Sequence, residues 1–168
     1  MTATRVVHSD TFAATTPTER EIVLTRRFEA PPRLVFEALT KPEHVRRWWG
    51  CLGEGYSVPV CEIDLRVGGA WRIVGHTPEG PMPAFYGVYR EVSPPYRLVN
   101  TECFEPYPDA ESVVTTELVA DGGGTRLTVT ALYPSREVRD IVLGTGMTSG
   151  AALSYDRLEE ILLELQQG

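Results

Sequence analysis

The chain has 168 residues, 42% of them hydrophobic and 23% charged, with a formal net charge of −7. That length suits one domain whose core needs no disulfide or structural metal. The acidic balance disfavours a broad nucleic-acid-binding face, and no run approaches the ~20 apolar residues of a membrane span.

Fifteen glycines and thirteen prolines point to many turns, hence to a sheet-rich fold. Residues 1–18 mix Thr, Ala and Pro without periodicity and contain no apolar run long enough for a signal-peptide core. They are expected to form a flexible N-terminal arm, with a single domain over 19–168. Cys51, Cys61 and Cys103 form no CxxC pair and are odd in number. They read as reduced thiols in a cytoplasmic protein, packed as small hydrophobes.

Glu21–Phe28 is rich in branched residues and predicts the first strand. Pro31 or Pro32 pre-sets the start of a short helix over Arg33–Leu39, with Leu34, Val35, Ala38 and Leu39 on one face. Thr40 is the expected N-cap of a second short helix, from Pro42 to about Trp48, ending at Gly50. The period then changes to two. Cys61, Ile63, Leu65 and Val67 alternate with Glu62, Asp64 and Arg66, which predicts a strand with one dry face. Gly68-Gly69 is the expected hairpin turn and Trp71–Val74 the return.

Phe85–Val92, Arg97–Phe104, Val113–Val119 and Arg126–Tyr133 bring the total to six or seven strands, and their short connections require antiparallel pairing. Ser135 is the expected N-cap of the last helical region, where Val138, Ile141, Val142, Thr145, Thr148, Ala152, Tyr155, Leu158, Leu162 and Leu165 recur at three and four. Unbroken, this helix would span ~48 Å at ~1.5 Å per residue. Gly144 and Gly146 therefore predict a break, with the main helix from about Met147 to Gln166. Strands and helices do not alternate, which excludes a doubly wound sheet. The predicted fold is α+β: a curved antiparallel sheet of six to seven strands gripping a long C-terminal helix, with two short helices after the first strand.

Five pieces in order carry a family resemblance. They are Ala30-Pro31-Pro32 with Val35-Phe36; Pro42 through Trp48-Trp49-Gly50; Glu62, Asp64 and Leu65 with Gly68-Gly69 and Trp71; Gly87 through Pro95 with Arg97-Leu98; and Gly146-Met147 with Gly150 and Arg157-Leu158. Together they cover about residues 20–165. The chain resembles the START-related helix-grip (SRPBCC) superfamily, which includes lipid-binding domains and polyketide cyclases. It is most similar to the branch named after the activator of the heat-shock chaperone ATPase.

The resemblance implies a cavity between the long helix and the sheet that binds a small hydrophobic or aromatic molecule. A polyketide cyclase-like enzyme using the same cavity, and a chaperone or protein-interaction module, are the alternatives. A homodimer is compatible with each.

For the cavity, Trp48 and Trp49 stand out because adjacent helical positions diverge by about 100° and cannot share one face. Phe36 joins them from the first helix. Trp71, Ile73, Tyr86, Tyr89 and Phe104 are the candidate lining residues on strands. Met147 and Ala151 are those on the long helix, where small residues either draw the helix close or leave volume open. His8, His44 and His76 are isolated, and there is no HxxxH, HExxH, GxSxG or phosphate-loop pattern. No metal, cofactor or catalytic residue is assigned. Among the polar strand residues Glu62, Asn100, Glu102, Thr115 and Glu117, an acid turned inward would act as a general acid or base. Each carboxylate is expected to face solvent.

Overall fold

The structure, a computed structural model, describes residues 4–8, 11–50 and 52–167, with the backbone alone for 4–8. Among these residues ten strands form one antiparallel sheet. Three precede the first helix: β1 (Thr4–His8), β2 (Phe12–Thr16) and β3 (Glu21–Phe28). Two helices follow, α1 (Pro32–Thr40) and α2 (Pro42–Trp48). The remaining strands are β4 (Ser57–Ile63), β5 (Ala70–Thr77), β6 (Gly80–Pro81), β7 (Phe85–Ser93), β8 (Arg97–Phe104), β9 (Tyr107–Asp121) and β10 (Gly124–Leu132). The chain closes with α3 (Arg136–Gly144) and α4 (Met147–Gln167). The strand order is β1-β2-β3-β10-β9-β8-β7-β5-β4, with β6 paired to β5.

The period-two pattern decides which face is dry. On β3, Ile22, Leu24, Arg26 and Phe28 point inward and are buried, while the residues between them are half-buried. Pairing carries that phase across the sheet: Leu24 faces Val129, Thr116 faces both Val129 and Leu98, and Val114 faces Asn100. It continues from Asn100 to Tyr89, from Phe104 to Phe85, and from Phe85 to Ile73. The two short helices and α4 cover this concave face.

Three expectations are corrected. The segment read as a loose arm contributes β1 and β2, so the sheet is larger than six or seven strands. Phe12 and Ala14 pair beside Arg26 and Leu24 and are buried. Their small neighbours gave no visible period, and it is the open edge of β3 that recruits them. Residues 1–3 and 9–10 lie outside the described residues.

β4 ends at Ile63 rather than continuing to Val67, and Leu65 and Val67 are exposed. The turn closes through Gly69, whose N–H donates to the Arg66 carbonyl; a Cβ there would lie 2.0 Å from the Asp64 carbonyl oxygen. A side chain is therefore excluded at that point, and the tight loop interrupts the alternation.

Thr40 does not cap α2. It is the last residue of α1, and its hydroxyl donates to the Phe36 carbonyl at 2.7 Å. Lys41 is the N-cap, and Pro42 fills the first position of α2, where no N–H is needed.

The C-terminal region follows the sequence closely. Ser135 accepts from the Val138 N–H at 3.2 Å, and the chain breaks at Gly146, whose φ is +81°. On α4, Leu158, Ile161 and Leu162 are fully buried. On α3 Val138 and Val142 pack half-buried against the core, but Ile141 is 61% exposed, and Arg139 is buried, donating to the carbonyls of Thr18 and Glu21.

Candidate functional site

The two tryptophans at the end of α2 go separate ways. The Trp48 indole N–H donates to the Ala38 carbonyl at 2.9 Å, and its ring lies 6.2 Å from Tyr155 of α4. Tyr155 also meets Phe12 and Phe28, which ties α4 to β2 and β3. Beside this cluster the buried Arg26 reaches Asp156 at 2.6 Å and lies over the Phe28 ring at 5.1 Å. Trp49 turns toward the other end of the sheet and meets Phe85 edge-on at 5.3 Å; Phe85 in turn lies 4.7 Å from Phe104. Two aromatic walls result, one around Tyr155 in the middle of α4 and one over β7 and β8.

Trp71 and Ile73 are buried on β5. The Trp71 indole N–H donates to the Thr101 carbonyl at 3.1 Å, across Gly87. A Cβ on Gly87 would meet that carbonyl oxygen at 1.9 Å and the Trp71 nitrogen at 2.8 Å, so glycine is required there. Of the two tyrosines on β7 only Tyr89 faces inward. Tyr86 pairs with Cys103 on the opposite face, within electrostatic reach of Arg72 and Glu105, so it does not join the others. Phe36 is buried in α1, while Met147 and Ala151 are half-buried at the start of α4. Cys61 and Cys103 are free and buried; Cys51 lies outside the described residues.

Between the two walls the inward face changes character. Ile22, Leu118 and Leu127 near β3 are almost wholly buried. Val114, Thr116, Asn100, Glu102 and Phe85, also inward and in mid-sheet, keep part of their surface accessible. The roof changes likewise. Ala151 and Ala152 at the N-terminal half of α4 are only half-buried, whereas Leu158, Ile161 and Leu162 are sealed. The close packing of α4 is with β1, β3, α1 and α2, rather than with β5, β7 or β8.

Glu102 is the residue the sequence reading placed wrongly. Its strand, Arg97–Phe104, carries apolar residues in both phases, so alternation alone does not choose a face. Pairing does. Glu102 faces Ser112 on β9, and the register between the Tyr86–Cys103 and Tyr89–Asn100 pairs sets it opposite Gly87. Glu62 and Glu117 are exposed, as expected. Glu102 keeps some accessible surface, yet burial alone lifts its carboxyl to about 7. Both observations hold if the surface it shows is interior to the molecule.

Three buried phenols share this interior: Tyr89, Tyr133 and Tyr155. Burial raises each above the usual phenol range, and Glu102 adds to the effect at Tyr133 and Tyr155. Tyr133 continues the inward phase of β10, and Tyr155 comes down from α4. Among the described residues no sealed side-chain oxygen or nitrogen lacks a partner. The unpaired oxygens of Glu102 and these phenols therefore border accessible space. The sequence held a signal for Tyr155, which lies on the α4 stripe, and none that joined Tyr133 to Glu102.

Two surface depressions lie elsewhere, one beside Pro17–Glu21 and Leu132, the other over the β4–β5 hairpin at Glu62, Asp64 and Arg72. Both open to solvent and neither contains the inward polar set. Among the described residues no three His, Cys, Asp or Glu side chains are grouped to hold a metal ion, and no helix is long and apolar enough to cross a membrane.

A long helix on a concave antiparallel sheet is the START-like helix-grip arrangement, and residues 29–163 match the family described as Activator of Hsp90 ATPase homolog 1-like protein. The chain belongs to that family. Solved structures of similar proteins agree. An Activator of Hsp90 ATPase homolog 1-like chain such as this one superposes on a Rhodobacter sphaeroides protein with a TM-score of 0.82 at 27% identity, over 92% of this chain and 99% of that one. A Nitrosomonas europaea protein gives 0.77 at 29% identity, over 90% and 99%. DynU16, a protein of the dynemicin biosynthetic locus, gives 0.67 at 22% identity; the match covers 85% of this chain and 47% of DynU16, and bears on the fold alone. No curated protein matches the chain.

Proposed function

We propose that this protein holds a small, mostly apolar molecule between the N-terminal half of α4 and mid-sheet, with Trp49, Phe85 and Phe104 at one end. Membership of a helix-grip family is consistent with hydrophobic ligand binding. The observation that carries the reading is the inward Glu102, with Tyr133 and Tyr155, left without protein partners beneath the helix. Leaving a buried polar group unpaired costs on the order of 1–3 kcal/mol, so such a set persists where water or a ligand completes it. An apolar enclosure with a few convergent polar groups is the usual form of a small-molecule site.

Titration with Nile red, a neutral apolar fluorophore, tests the reading. Enhanced emission with a dissociation constant near micromolar, reversed by aromatic or long-chain competitors, is expected. Absence of binding by the probe and by every competitor sinks it.

A second reading, catalysis of the polyketide cyclase kind, is favoured by the same carboxyl. A group titrating near neutrality in an enclosed site is matched to abstract and return a proton next to a carbonyl. Deuterium exchange into an aromatic 1,3-diketone, slowed about 10²-fold or more by Glu102→Gln, is the expected sign. Equal exchange with wild type and variant excludes it.

A further inference from the structure

The proposed pocket also constrains the polar end of its ligand, and the constraint comes from what surrounds Glu102. We infer that the molecule held beneath α4 presents a hydrogen-bond donor, an amine or a hydroxyl, to Glu102, and that molecules ending in a carboxylate are rejected. The inference rests on the pocket reading above and narrows it to a ligand class.

The charge balance around Glu102 is one-sided. From the elements packed about it, the titratable groups within reach are Tyr133, Tyr155 and, on the opposite face of its own strand, Cys103. None is cationic. Arg26, the buried cation of the inward face, is engaged by Asp156 and the Phe28 ring. Arg139 is held at the far end of β3 by Asp140 and two backbone carbonyls. Asn100, beside Glu102 on the inward face, is neutral and donates one of its two amide N–H groups to the Thr101 carbonyl at 3.0 Å.

An ionised carboxylate accepts hydrogen bonds and donates none. With no arginine or lysine to offset it, a ligand carboxylate set against it meets like charge in a weakly screened interior. An ammonium or hydroxyl supplies the missing donor, and the ammonium also neutralises the charge. The two phenols donate or accept, so they complete the shell around either group.

The pH dependence follows in sign. Above about 7 Glu102 is ionised in the free protein, which favours the amine and repels the carboxylate. Below that point it is neutral and can donate to a carboxylate. The preference for amine over carboxylate should therefore shrink as pH falls. The phenols stay neutral throughout, because burial raises them.

The experiment is competition against bound Nile red by two matched sets, decyl and 2-naphthylmethyl, each ending in amine, alcohol or carboxylate. Wild type and Glu102→Gln are compared at pH 8.5 and 5.5, each competitor referred to that protein's own Nile red affinity. At pH 8.5 the amine is expected to compete at least tenfold better than the carboxylate, with the alcohol between. The ratio should fall severalfold at pH 5.5 in wild type and collapse at both pH values in Glu102→Gln. The wild-type pH series gives its result even if the variant fails to fold.

Nile red bound with all three end groups equal, or with the carboxylate preferred at pH 8.5, overturns the inference and leaves the pocket standing. The same holds if Nile red binds and none of the six competes, or if a folded Glu102→Gln keeps the full preference. No binding of Nile red or, by direct titration, of any of the six removes the pocket and the inference together.

Discussion

Glu102 combines a carboxyl lifted to about 7 with a position in the middle of the sheet, so it should leave a mark on stability as well as on binding. Its folded value lies above the ordinary carboxyl range of about 4. The proton is thus held more tightly in the folded state. The resulting stabilisation is complete below the ordinary range and is lost as pH rises to about 7. Wild type is expected to be more stable at pH 5 than at pH 8 by on the order of 1–3 kcal/mol, and Glu102→Gln should flatten that difference. Urea midpoints at the two pH values check it, and an equal slope in both proteins contradicts the placement of the carboxyl. At Glu105 and Glu164 the sign is opposite, because hydrogen bonds from Arg72 and Arg47 lower them. Their contribution fades only in more acidic solution, which is why the comparison stops at pH 5.

At the scale of elements, the N-terminal hairpin and α4 depend on each other. β2 covers the edge of β3, and Phe12 sends its ring toward Tyr155 of α4 at 6.2 Å. α4 is pinned on the same side by Arg26 to Asp156, and on the other by an ion pair between Arg47 of α2 and Glu164. Removing residues 1–16 uncovers the buried Phe12 site and opens the β3 edge to pairing with other chains. The loss of the buried phenylalanine alone is worth about 3–5 kcal/mol. The truncated chain should melt roughly 6–20 °C lower, at about 2–4 °C per kcal/mol for this size, and should form larger species in light scattering. An unchanged melting temperature would show the hairpin to be dispensable.

For the whole molecule the question is whether the pocket proposed beneath α4 is open volume. Ala151 stands on the inward line of α4 with Thr148, Tyr155 and Leu158, and it is only half-buried. Replacing it by Phe tests that pocket by occupying it. In an already packed interior such a change costs about 1–3 kcal/mol; in a genuine cavity it is tolerated or stabilising. Ala151→Phe is therefore expected to weaken Nile red at least tenfold while the melting temperature holds or rises. A clear drop in melting temperature with binding retained would mean that the interior is already full beneath α4.

Local chemistry determined most of the elements. The branched residues of Glu21–Phe28, prolines at the starts of α1 and α2, the Ser135 cap and the break at Gly146 are each written within a few residues of where they act. Trp48 and Trp49 diverge because α2 ends between them: Trp48 is its last helical residue, and Trp49 is the C-cap with extended backbone, ψ 120°. What escaped was whatever depends on residues distant in the chain. Phe12–Thr16 becomes a strand because β3 offers an edge, not because FAATT has a period. β4 stops at Ile63 because Gly69 lets backbone meet backbone. Tyr86 and Glu102 lie on strands whose two faces are about equally apolar, so their direction is decided by pairing register, and a shift of one residue reverses it. The helix-grip form was thus available from the sequence, while the polar set of Glu102, Tyr133 and Tyr155 exists only once β8, β10 and α4 have been brought together.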